Sequence, residues 1–248
     1  IYIASQTGFH KKYIKKYLKN NFNVMCEKPL DINFKDILNY TKIAKKNNLL
    51  LFDCLMYKFH DSFKYLKKVL NCKDIKYIYS SFKFPSIDSK DFRYKSKHGG
   101  FFWDAAIYPL SLDILLFESI GKFKNISSSA VFKKTFLRGN IVQKNKKILK
   151  IYKWGEGQNY ENNLEIICKN ESFFINKFFS KLNNEKINVL RSKNKVRHTF
   201  SNNHFEKMFK VVINNFNNRN FKDQSIKEIS KIYKHVHKIL SVTKKIYI

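Results

Sequence analysis

An α/β unit on a parallel sheet, followed by an α+β domain on an open, mainly antiparallel sheet, is the fold the sequence predicts. Three patterns predict it. From residue 1 to about 56, short apolar runs alternate with helical periodicity, which implies parallel strands joined by right-handed helical crossovers. From Ile75 onward, strand-like segments follow one another, separated by Asn, Gly and Lys turns, as in an antiparallel sheet with one face on the core. The end turns helical again. Phe205, Met208, Phe209, Val212, Ile213 and Phe216, and then Ile226, Ile229, Ile232, Val236, Ile239 and Leu240, recur at steps of three and four.

Taken in order, the first unit reads as strand 1–4, helix 10–20, strand 23–26, helix 34–47 and strand 49–55. On helix 10–20, Lys11, Lys12, Lys15, Lys16 and Lys19 fall opposite Tyr13, Ile14, Tyr17 and Leu18, so lysine occupies the solvent face. Asn33 supplies an N-cap for helix 34–47, with Asp36 in its first turn. The run 24–30, Val-Met-Cys-Glu-Lys-Pro-Leu, is a buried strand that Pro29 stops, because proline cannot continue a ladder. Glu27 and Lys28 therefore stand at a strand's carboxyl end, where open α/β sheets bind ligands. A turn at 56–60 leads to helix 61–70. The second unit reads as strands 75–84, 130–137, 146–154, 164–168, 172–179 and 187–190, interrupted by helix 103–117. Ser225 and Glu228 form a capping box for the last helix. His235 and His237, two apart on a helix, diverge and make no metal pair.

Composition narrows the function classes. A chain of 248 residues with 44% hydrophobic content is globular and long enough for one or two domains. It has no apolar run of about 18 residues to span a membrane. Cys26, Cys54, Cys72 and Cys168 are widely spaced, signalling neither zinc nor a disulfide framework and fitting a reducing, cytoplasmic setting. The net charge of +30 suggests nucleic acid. However, the lysines are spread over the whole chain amid abundant Asn, Ile and Phe, which reads as coding bias rather than a binding stripe. No nucleic-acid partner is expected.

Four stretches carry a resemblance: Ala4-Ser-Gln-Thr-Gly-Phe-His10, residues 24–30, Phe92-Arg93, and Gly99-Gly-Phe-Phe-Trp-Asp-Ala-Ala-Ile-Tyr-Pro109. In that order and spacing they resemble the Gfo/Idh/MocA family of NAD(P)-dependent sugar and polyol oxidoreductases. The resemblance implies a partial Rossmann-type parallel sheet: residues 1–58 as the C-terminal half of a dinucleotide-binding domain, with helix 225–245 packing back on it. Residues 59–248 would be the substrate-binding and dimerisation domain. None of the seven glycines forms a G-x-G-x-x-G turn. The chain is therefore expected to start mid-domain, N-terminally truncated by on the order of two βαβ units of at least about 30 residues each.

Asp104 and Tyr108 are four apart and share a helix face, entered through Gly99 and Gly100. By the resemblance, Lys28 polarises the substrate oxygen, Tyr108 gives or takes its proton, and Asp104 orients the sugar or the lysine. The lysine charge is expected to lower the phenol pKa. Ser5, Gln6, Thr7, His10, Glu27, Lys28 and Arg93 would contact the cofactor, NAD or NADP, and no metal site is expected. The Lys28-Pro29 bond is expected cis. Tyrosine at 108 resembles nucleotide-sugar ketoreductases and dihydrodiol dehydrogenases. The implied function is hydride transfer between NAD(P) and a hydroxyl or keto carbon of a sugar, sugar nucleotide or polyol. The implied assembly is a homodimer or homotetramer through the open sheet face. Lys58 and Asp61 depart from the family pattern around the 56–60 turn, and Phe101 and Ala106 narrow the space near the nicotinamide; with no glycine-rich turn in the sequence, the alternative is a catalytically silent relative serving as an interaction module.

Overall fold

The computed structural model describes residues 1–120, 123, 125–182, 185–201 and 203–248. Strands β1 (Tyr2–Ile3), β2 (Val24–Cys26) and β3 (Leu51–Asp53) form a parallel three-stranded sheet in the order β1-β2-β3. Helices α1 (Thr7–Lys19) and α2 (Phe34–Lys46) make the crossovers. Ile14 and Leu18 of α1 are buried while Lys11, Lys12, Lys16 and Lys19 are exposed, as the lysine pattern requires. Asn33 caps α2 by accepting the Lys35 N–H, and Asp36 pairs with Lys11 at 2.6 Å and Lys15 at 2.8 Å, tying α2 to α1. Both helices are followed by an asparagine with positive φ, Asn21 (59°) and Asn48 (50°), a residue that tolerates the left-handed turn there.

After a single 3-10 turn, Met56–Phe59, the ring of His60 caps α3 (Asp61–Val69) by accepting the Ser62 N–H. Next come β4 (Ile75–Pro85), a π-helical turn Phe102–Ala106 and α4 (Ile107–Leu115). The strands β5 (Asn125–Lys133), β6 (Thr135–Lys144), β7 (Leu149–Gly157), β8 (Glu161–Cys168), β9 (Ser172–Asn176), β10 (Ile187–Arg191) and β11 (Val196–Phe200) follow. Helices α5 (His204–Asn215) and α6 (Arg219–Ser241) and strand β12 (Thr243–Tyr247) complete the chain. The second sheet has nine strands, ordered β11-β10-β9-β8-β4-β7-β6-β5-β12. Only β4–β7 and β5–β12 pair in parallel among its described strands.

Alternation along the strands sorts the two faces. Ile78, Ile166 and Phe173 are buried on the side covered by α4 and the π-helical turn, while their neighbours Tyr79, Ile151, Glu165 and Phe174 line the open side. The central sheet is thus mainly antiparallel and one-faced, as the sequence predicts.

Several elements differ from the sequence reading. The stretch 130–137, read as one strand, is a hairpin turning at Lys134 (φ 57°). Its turn is Lys133-Lys134-Thr135, and no Gly, Asn or Pro marks it. The last helix begins at Arg219, with Asn218 as its cap accepting from Phe221 N–H. Ser225 and Glu228 are therefore mid-helix, not a capping box: Ser225 donates to the Leu51 carbonyl at 2.6 Å and Glu228 pairs with Lys58. That helix ends at Ser241 rather than 245, and residues 243–247 and 196–200 are strands the periodicity did not reveal. Helix α6 lies on α2, β3 and α4.

Candidate active site

The site forms where the tip of β2 meets the start of α4. Beyond Cys26 the backbone leaves the sheet, and the Lys28-Pro29 bond is cis. The first turn of α1 backs this loop: the buried His10 ring nitrogens lie 2.9 Å from the Pro29 carbonyl and 2.8 Å from the Ser5 carbonyl. Lys28 then reaches across to the turn before α4. Pro109 has no N–H to return to that turn, which is π-helical, and its Asp104 carbonyl accepts from Lys28 Nζ at 2.9 Å.

The Asp104 carboxylate joins two cations. Lys28 Nζ donates to Oδ1 and Arg93 Nε to Oδ2, each at 2.6 Å. Arg93 Nη1 also donates to both Asp91 oxygens at 3.1 Å, and its guanidinium lies 4.5 Å over the Phe92 ring. Burial pushes the Asp104 pKa up, but the charges of Lys28 and Arg93 outweigh it and hold the carboxyl at about 2.

Lys28 Nζ also stands 4.7 Å over the Tyr108 ring. This geometry corrects the expectation for the phenol. The ammonium faces the ring rather than the oxygen and is already matched by Asp104. Burial first, and then the Asp104 charge, raise the Tyr108 pKa well above its ordinary value, so the hydroxyl keeps its proton. That hydroxyl is 3.6 Å from Met56 Sδ, a weak acceptor. The ring is packed by Phe82 at 4.6 Å and Phe179 at 5.5 Å.

Lys28, Arg93, Asp104 and Tyr108 line one pocket of about 260 Å³, walled by Phe82, Phe84 and Ile87. That apolar wall was not read from the sequence, because its residues look like ordinary strand and loop hydrophobics. Larger hollows lie elsewhere, including one of about 370 Å³ beside Asp113. There the polar groups answer one another: Asp113 accepts from Lys150, Tyr152, Gln143 and His235. The smaller pocket is the chemical candidate because it brings an ammonium, a carboxylate and a protonated phenol together at a strand end.

The other sequence candidates lie around the turn after β1. Glu27 is half-buried and accepts from the Tyr2 hydroxyl at 2.6 Å. Gln6 is exposed and Thr7 half-buried, while Ser5 Oγ is buried with no hydrogen-bond partner among the described residues. The first turn of α1 is covered by His98, whose Nδ1 accepts the Gly8 N–H at 3.0 Å. A Cβ at Gly8 would meet that nitrogen at 2.9 Å, so Gly8 makes room for His98. Among the described residues no three His, Cys, Asp or Glu side chains gather as a metal site.

Residues 1–53 match the oxidoreductase family with an NAD-binding Rossmann fold, Gfo/Idh/MocA. The match covers 53 of the chain's 248 residues. A curated dTDP-3,4-didehydro-2,6-dideoxy-alpha-D-glucose 3-reductase from Saccharopolyspora spinosa is 26% identical over 113 residues, 44% of this chain and 34% of that protein. The scyllo-inositol 2-dehydrogenase (NADP(+)) of Bacillus subtilis is 34% identical over 71 residues, 29% of this chain and 22% of its own. These matches span about a third or less of the relatives' lengths. A 3-ketoreductase from Actinomadura kijaniata, solved with NADP and TDP-benzene, has the same fold over 100% of this chain and 79% of its own, with a TM-score of 0.89 and 18% identity. The fold of that ketoreductase thus extends through the nine-stranded sheet.

Proposed function

We propose that this protein is an NAD(P)-dependent oxidoreductase acting at a hydroxyl or keto carbon of a sugar or sugar nucleotide. The observation that carries this is the Lys28 ammonium held between the Asp104 carboxylate and the face of Tyr108 in one pocket. The relatives named above support the substrate class. Residues 1–58 would be part of the dinucleotide-binding unit and residues 59–248 the substrate unit.

The strand-end residues fit the nicotinamide end of a dinucleotide: Ser5 Oγ, buried with no partner among the described residues, and the half-buried Glu27 and Lys28 gather at the tips of β1 and β2. Gln6, Thr7 and Arg93 border the same side, and His10 acts by holding the turn. A bound nicotinamide would supply or accept the hydride. For a keto substrate, the protonated Tyr108 gives its phenolic proton to the oxygen as the carbon is reduced. Lys28 uses two of its three N–H groups on Asp104, leaving one for the same oxygen. Asp104 keeps that ammonium aimed, and the apolar wall excludes water.

One observation favours a second reading, the catalytically silent relative: His98 covers the first turn of α1. Titrating the protein with NADPH and following its fluorescence decides between them. Saturable binding that Lys28→Met weakens supports the enzyme, and no binding supports the silent module.

Assembly belongs to the same proposal. Tyr79, Ile151 and the exposed Phe174 on the open sheet face suit pairing with a second copy as a homodimer or homotetramer. Light scattering after size exclusion would give twice the chain mass or more. Among the described residues no helix is long and apolar enough to cross a membrane, and the four free thiols fit a cytoplasmic setting.

A further inference from the structure

Lys28 and Asp104 are 76 residues apart in sequence, so their contact depends on how the tip of β2 and the turn before α4 are held relative to each other. Both supports rest on one side chain of α6. The Tyr233 hydroxyl accepts the N–H of Leu30, two residues beyond Lys28, and donates to Asp53 Oδ2 at 3.0 Å at the end of β3. The Tyr233 ring stacks on Trp103, the residue before Asp104, with centroids 6.1 Å apart and planes 17° from parallel. Tyr233 is fully buried and Trp103 nearly so. Trp103 lies tight over Gly99 (φ 82°), where a Cβ would meet its Cδ1 at 2.5 Å, so the indole fits only against a glycine at that turn.

We propose that Tyr233 is a positioning residue for the Lys28–Asp104 pair, its hydroxyl fixing the loop that carries the lysine and its ring fixing the turn that carries the aspartate. The catalytic consequence rests on the function proposed above, but the geometric claim does not. An unmade hydrogen bond at the Leu30 N–H leaves a buried donor without a partner, and the loop would shift to find one. A displacement of an ångström at a catalytic pair is enough to matter for rate. Sequence periodicity marks position 233 only as one more residue of a long helix, so nothing in the pattern singles it out.

The test reads the pair without turnover. Trace acetylation of the intact protein, followed by mass spectrometry of each lysine, reports how often the Lys28 ammonium leaves Asp104, since a paired and half-buried amine reacts slowly. Asp104→Asn sets the scale by removing the charge that pairs with Lys28 while keeping the backbone carbonyl it also meets. Tyr233→Phe keeps the stack and loses the hydroxyl, and is expected to raise Lys28 labelling at least fivefold, with the other lysines unchanged. Ser225→Ala removes another buried hydrogen bond from the same helix to the same strand without touching Leu30 or Trp103, and is expected to leave Lys28 at the wild-type rate. Trp103→Phe, which shrinks the stack, shifts Lys28 the same way by less and serves if Tyr233→Phe does not fold. The proposal is overturned if Lys28 labelling in Tyr233→Phe stays within twofold of wild type while Asp104→Asn raises it. It is equally overturned if Ser225→Ala raises it as much as Tyr233→Phe, since the effect would then be general loosening.

Discussion

Asp104 carries two jobs, and its environment explains how one carboxylate does both. With Lys28 on one oxygen and Arg93 on the other, it stays ionised at about 2 in spite of burial. Its folded pKa lies below the unfolded value of about 3.9, so its contribution to stability is fully present above that value. The contribution is lost as pH falls toward 2. Asp104→Asn is therefore expected to flatten the acid limb of the stability curve between pH 4 and 2, as read by denaturant melts across that window. Lys28→Met removes one of the two cations, and its expected outcome is a Tm within a few degrees of wild type with turnover reduced by about 100-fold or more. Unchanged turnover would remove Lys28 from the chemistry. Lys28 and Asp104 were legible in the sequence because a proline-stopped strand and a glycine-entered helix mark their places. The state of Tyr108 was not, since whether an ammonium sits beside a phenol oxygen or over its ring is decided by packing.

Two elements are held by buried polar groups of opposite character. Helix α4 is pinned to β7 and α6 through Asp113, which accepts from Lys150, Tyr152 and His235 and whose carboxyl is held well below its usual range: burial raises it, but Lys150 and His235 prevail. Lys150 is only 2% exposed. Asp113→Asn leaves that ammonium buried without its counter-charge, an expected loss of about 3–5 kcal/mol by chemical denaturation.

Helix α5 presents the opposite case. His204 is buried with both ring nitrogens unpartnered among the described residues, 6.2 Å from the His60 ring. Burial, and then the Lys181 charge, lower its pKa to about 4. His60 is lowered to about 3 by burial, Lys181, His204 and Lys207, against the Asp61 charge. Unfolding lets both rings take protons below about 6.5. This part of the stability is thus intact above that pH and is lost as pH falls toward 4. His204→Leu is expected to hold or gain stability at pH 7.5 and to lose less between pH 7.5 and 5, by about 1 kcal/mol after allowance for solvent screening. An equal loss in both proteins would contradict the burial argument. Element type followed from periodicity, because the apolar steps of α1, α2 and α5 are regular. The hairpin at Lys134 and strand β12 escaped it, because a turn built on lysine and an edge strand with exposed Ile246 and Tyr247 carry no compositional mark.

At the scale of the whole molecule, α6 joins the two sheets: Ser225 bonds to Leu51, Tyr233 to Leu30 and Asp53, and His235 to Asp113. The parallel unit and the one-faced sheet were both legible, because alternating and continuous apolar runs report which faces are buried. The bridging role of α6 was not, since a pattern of burial says that a helix face is covered and not by what. The pocket exists only in the assembled fold, with Lys28 from one sheet and Asp104 and Tyr108 from the helix beneath the other. The most direct measurement of that assembly's purpose is NADPH consumption by the purified protein with a panel of nucleoside-diphosphate keto sugars, wild type beside Tyr108→Phe. The account predicts turnover by the wild type and a kcat about 100-fold lower or more in Tyr108→Phe, with NADPH binding retained. Equal turnover by the two proteins, or NADPH bound tightly while no sugar in the panel is reduced, would contradict it.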